Sequence, residues 1–67
     1  MIYENIKSIA DKKNMNIAVI EKKAGLSNGT IGKWRSSTPN VDNLIKVAGV
    51  LNVSLTTLTK GLKEGDT

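Results

Sequence analysis

Gly25-Leu26-Ser27-Asn28-Gly29-Thr30-Ile31-Gly32-Lys33-Trp34-Arg35 is the stretch that decides how this chain folds. Gly25 is a natural helix stop, because glycine enters the left-handed conformation at a C′ position without steric cost. Ser27 is a natural start for the next helix, since its hydroxyl can accept the orphan N–H groups of a first turn. A helix end, a tight link and a helix start make a helix-turn-helix. The spacing predicts the second helix of that unit from Asn28 to Ser36. Ile31 and Trp34 lie three apart, so they share one face and can be buried. Asn28, Gly29, Gly32 and Lys33 fall on the other face, which is small, polar and ends in positive charge.

Two features of this stretch favour a nucleic-acid partner over a purely structural helix pair. Glycines at 29 and 32 each cost up to about 1 kcal/mol inside a helix, and close approach of the backbone to a partner would account for them. From Lys22 to Val41 there is no Asp or Glu, while Lys22, Lys23, Lys33 and Arg35 all lie there.

The rest of the chain bounds the answer. Sixty-seven residues make one domain, expected over 1–62 with a polar tail at 63–67 that could begin a linker. A chain of this size buries only about 60% of its unfolded surface, so a modest stability is expected. Without cysteine or histidine there is no disulfide framework and no usual zinc site, and neither a metal nor a cofactor is expected. The six carboxylates stand apart at 4, 11, 21, 42, 64 and 66. With no histidine base and no cysteine nucleophile, catalysis is not expected, nor is a small-molecule substrate. No apolar run is long enough for a membrane, and Met-Ile-Tyr-Glu does not read as a signal peptide, so a cytoplasmic protein is expected. The net charge of +4 favours a polyanionic partner without proving one.

Taken in order, Ile2, Ile6, Ile9 and Ala10 predict a first helix over 2–13, with Asn14 as its left-handed stop. Asn16 caps a second helix over 17–24, whose stripe is Ile17, Ile20 and Ala24. After the helix 28–36, the run Ser36-Ser37-Thr38-Pro39-Asn40 is a loop, and Asn40 caps a fourth helix over 41–51. Val41, Leu44, Val47, Ala48 and Leu51 form its apolar stripe, and Asn52 ends it. Ser54 caps a fifth helix over 55–62, with Leu55, Leu58 and Leu62 inward. No stretch alternates with period two, so no strands are expected. Trp34 shares the face of Ile31 and is read as core rather than as a base-stacking ring.

These residues resemble the helix-turn-helix domain of the lambda-type phage repressor and Cro superfamily, the XRE-like family. The likeness rests on Ile20, Gly25-Leu26-Ser27, Thr30-Ile31, Lys33-Trp34, Thr38-Pro39-Asn40, and the run from Leu44 to Leu55. Ser-Asn-Gly-Thr-Ile-Gly-Lys-Trp at 27–34 is particularly similar to repressors of phages and mobile elements of Gram-positive bacteria. The resemblance implies an all-α, compact five-helix fold with the helix-turn-helix at helices 2 and 3. It also implies a sequence-specific DNA-binding transcriptional regulator, often a repressor. Double-stranded operator DNA is the implied partner, read as palindromic half-sites by a chain that pairs as a homodimer on the DNA.

The family's base-reading positions match Asn28, Gly29, Thr30 and Lys33. Lysine can reach guanine O6 and N7, and asparagine can pair with adenine N6 and N7. Gly29 has no side chain and would only admit a thymine methyl or the backbone. The family's phosphate contacts fall on Asn16, Ile17, Ser27, Arg35, Ser36, Ser37 and Asn40. Two positions depart from the pattern. Ile17 stands where the family often has a phosphate-contacting glutamine, so that contact is expected to be absent or replaced by Asn16. Glu21 stands where the family often has alanine, and is expected to pair with a nearby lysine or to hold the two helices slightly apart. The alternative reading is a protein-interaction module, such as an antitoxin or accessory factor, on the same fold.

Overall fold

The computed structural model describes residues 2–59. Within them are four α-helices and one short 3-10 helix, with no strand. Helix α1 spans Ile2–Lys12, α2 Ile17–Ala24, α3 Val41–Leu51 and α4 Leu55–Thr59. The 3-10 helix is Ile31–Arg35. The all-helical expectation holds, but the count of five α-helices does not. The segment expected as one α-helix over 28–36 is a turn at 28–30 followed by the 3-10 helix. Gly29 is the reason: its φ of +93 lies outside helical space, so no helix can run through it. The end of the expected fifth helix, Leu62 with it, and the tail 63–67 lie outside the described residues.

The starts of α2, α3 and α4 and the ends of α1, α2 and α3 are encoded locally. The side-chain oxygen of Asn16 accepts from Val19 N at 2.8 Å, and that of Asn40 from Asn43 N at 2.8 Å. Ser54 Oγ accepts from Thr57 N at 3.2 Å. The three stops share one design. Asn14, Gly25 and Asn52 have φ of 57, 76 and 58, and each is followed by an apolar residue whose N–H reaches back to a carbonyl five residues earlier. Those bonds are Met15 to Ala10 at 2.9 Å, Leu26 to Glu21 at 2.8 Å and Val53 to Ala48 at 3.0 Å. Met15, Leu26 and Val53 then pack against the core.

The core collects Ile2, Ile6 and Ala10 from α1, Ile20 from α2, and Ile31 and Trp34 from the 3-10 helix. Leu44, Val47, Ala48 and Leu51 of α3 and Leu58 of α4 complete it. Helix α2 packs on α3, α1 packs on both the 3-10 helix and α4, and α3 packs on α4. Asn5 Nδ2 donates to the carbonyl of Leu58 at 2.7 Å and ties the first helix to the last. Two expected core residues lie outward: Val41 is 63% exposed and Leu55 38%. Val41 opens α3, and its first-turn position leaves it beyond the stripe that begins at Leu44. Lys7 donates to Asp11 at 2.8 Å one turn along α1, and this bond holds its pKa above the usual 10.5.

Leu51→Ala should cost about 3 kcal/mol of stability, because the side chain is wholly enclosed. Ile45→Ala, at a position 52% exposed, should change stability by less than about 0.5 kcal/mol. Urea unfolding followed by circular dichroism measures both, and equal losses would contradict this core.

Candidate nucleic-acid interface

The candidate surface is built around a chain reversal. Helix α2 stops at Gly25, Leu26 turns inward, and Ser27, Asn28 and Gly29 are exposed. Ser27 was expected to cap the next helix with its hydroxyl; instead its backbone carbonyl accepts from Thr30 N at 3.1 Å. The side-chain cap comes from α2. Glu21 is buried, 3% exposed, and its carboxylate receives two backbone donors: Gly29 N at 3.1 Å to Oε1, and Ile31 N at 2.8 Å to Oε2.

This corrects the expectation for Glu21. Among the described residues it pairs with no lysine, and its carboxylate joins the two elements by hydrogen bonds. Moving a carboxylate out of water costs several kcal/mol unless its oxygens are satisfied. Two charge-assisted bonds of about 1.5–3 kcal/mol each offset that loss. The carboxylate's length is what lets one residue of α2 span both donors. An acidic residue four before a helix-ending glycine, with Asn-Gly beyond, carried the signal for this cap; the reading by family pattern passed over it.

The expected base-reading residues are brought together. Asn28, Gly29 and Lys33 are exposed, and Thr30 is half-buried beside them. Ile31 and Trp34 are buried beneath, so the indole is core, as the spacing predicts. The reason expected for the glycines changes. Gly29 is required by its left-handed φ, whereas a Cβ at Gly32 would meet open space within the chain. A groove of about 320 Å³ runs beside the turn, lined by Ala18, Glu21, Lys22, Leu26 and Asn28.

The residues expected at phosphates are more varied. Asn16 and Asn40 use their side-chain carbonyls as helix caps, and the caps make no use of either NH₂ group. Ile17 is half-buried against the core. Ser27 and Ser36 are exposed. Ser37 Oγ donates to the Lys33 carbonyl at 2.9 Å and closes the end of the 3-10 helix. Arg35 lies over the Tyr3 ring at 4.5 Å and donates to its hydroxyl at 3.1 Å, so the guanidinium also fastens the 3-10 helix to α1. Sequence reading missed this contact, because nothing in the spacing pairs residues 3 and 35.

A helix-turn-helix family profile matches residues 6–58, from Ile6 within α1 to Leu58 of α4. The chain belongs to this helix-turn-helix family. Among solved structures, it is similar to the P22 c2 repressor protein, crystallised in complex with synthetic operator 9T in the presence of Tl+. The two share 30% identity and superpose with a TM-score of 0.80, over 92% of this chain and 97% of that one. No curated protein matches the chain. The lambda-repressor-like resemblance read from residues 20–55 is therefore carried by both a family match and a shared fold. Among the described residues no helix is long and apolar enough to cross a membrane.

Gly29→Ala should destabilise the domain by about 1–2 kcal/mol, the cost of a side chain in left-handed space. Gly32→Ala should be neutral or stabilise by up to about 1 kcal/mol, since its Cβ meets nothing and the unfolded chain loses freedom. Urea midpoints for the pair would separate the two roles; similar shifts would contradict them.

Proposed function

We propose that this helix-turn-helix domain is a sequence-specific DNA-binding transcriptional repressor. The observation that carries the reading is the match, over nearly the whole of both chains, to a repressor solved on its operator. The surface chemistry supports it. Between Lys22 and Val41 the chain has only basic charge, and the preceding carboxylate, Glu21, is buried. The exposed face around the turn is thus cationic and small, which suits a major groove flanked by phosphates.

On this reading Asn28, Thr30 and Lys33 meet base edges, and Gly29 lets the turn approach closely. Asn16, Ser27, Ser36 and Asn40 supply neutral donors to phosphates, Ser37 keeps its hydroxyl proton on the Lys33 carbonyl, and Arg35 supplies charge from its seat on Tyr3. Ile17 contributes packing at the same edge rather than a polar contact. Two copies on half-sites about one helical turn apart would present two such faces along one side of the duplex.

Affinity for duplex DNA should fall steeply with salt as counterions are released. Lys33→Ala should cost about 1–3 kcal/mol on a selected operator and much less on mixed-sequence duplex. Lys22→Ala should weaken both duplexes alike and lower the salt slope by about one. Fluorescence titrations with a labelled duplex read all three, and equal losses on both duplexes for Lys33→Ala would remove its base-reading role.

A further inference from the structure

Glu21 is the one buried charged side chain among the described residues, and base or phosphate contact makes no use of it. We propose that Glu21 is a positioning residue that sets which DNA sequence the domain prefers, without touching the DNA; this rests on the DNA-binding reading above. Four backbone donors converge on this single residue. Its carbonyl takes Gly25 N and Leu26 N, and its carboxylate takes Gly29 N and Ile31 N. The exposed face from Asn28 to Lys33 is therefore pinned on both sides of Thr30 to the interior of α2.

The same bonds decide what the turn can offer a ligand. Gly29, Thr30 and Ile31 N–H groups are all engaged within the protein. A DNA phosphate cannot use them to pull the turn into place. The pose of the reading side chains is instead fixed before DNA arrives, by a carboxylate that water and DNA barely reach. Hydrogen bonds to base edges weaken steeply with small errors in distance and angle, whereas attraction to phosphates does not. Loosening Glu21 should thus erode discrimination and spare general affinity. Gly29 belongs to the same device, because its φ of +93 turns its N–H inward toward the carboxylate.

The test begins with the wild-type chain selecting a duplex from a random-sequence pool. Salt-sensitive, preferential binding of that duplex tests the parent reading by itself; if wild type binds neither it nor mixed-sequence duplex, that reading fails and the role of Glu21 falls with it. Given discrimination by wild type, Glu21→Gln keeps the size but turns an NH₂ toward N–H donors and removes the charge. Its affinity for the selected duplex should drop about tenfold or more, while affinity for mixed-sequence duplex stays level or rises. Circular dichroism and Trp34 fluorescence give the folded fraction by which both values are corrected. Corrected affinities that fall by one common factor, or do not fall, would overturn the proposal. Should the variant fail to fold, nuclear magnetic resonance on the wild-type complex decides it. Coupling across the hydrogen bonds from Gly29 and Ile31 amides to the Glu21 carboxyl carbon should persist on DNA, and its loss would overturn the proposal.

Discussion

When one helix stops and another begins within a few residues, the N–H groups opening the second helix point back toward the first, where water cannot reach them all. Something in the first helix has to receive them. Here a carboxylate does so. Glu21 accepts from Gly29 and Ile31, and the last bond of α2 returns to the carbonyl of the same residue. Removing this side chain would leave two donors stranded between α2 and the 3-10 helix. The shape of the turn, the inward seat of Ile31 and the outward seat of Lys33 all depend on it.

This solution separates two tasks that a short helix usually combines. Ile31 and Trp34 anchor the 3-10 helix in the core, and Arg35 on Tyr3 fastens its far end to α1. Asn28 and Lys33 take no part in that anchoring and lie exposed. The surface chemistry of the turn is consequently decoupled from its stability. The buried placement of Glu21 also keeps a negative charge off a face whose other charges are positive. A carboxylate at the surface there would repel phosphates.

Much of this was legible in the sequence, for a physical reason. The caps and stops act over three to six residues, so Asn16, Gly25, Asn40, Asn52 and Ser54 announce their roles by type and position alone. The apolar spacing likewise placed Ile20, Ile31, Trp34, Leu44 and Leu51 inside. What could not be read depended on conformation or on distance. An Asn-Gly pair is compatible with a helix start or with a left-handed turn, and only the partner at Glu21 selects the turn. Val41 fits a helical stripe on paper, yet its place in the first turn of α3 carries it past the edge of the core. The Arg35–Tyr3 contact joins residues that no local rule relates. The exposed face from Asn28 to Lys33 was legible as a set of residues, but not the buried carboxylate beneath it.

The bond from Asn5 to the carbonyl of Leu58 joins residues 53 apart in the chain. Nearly every other polar contact that shapes the backbone closes a short loop. Loop closure grows costly in entropy with length, and an ordering of events follows from it. The α2–turn–3-10 segment, Ile17 to Arg35, can organise using partners it carries itself. Docking α4 against α1 closes the longest loop. In kinetic terms α4 is the element expected to seat last and to release first, so the domain would open from its ends while the turn at its centre stays formed.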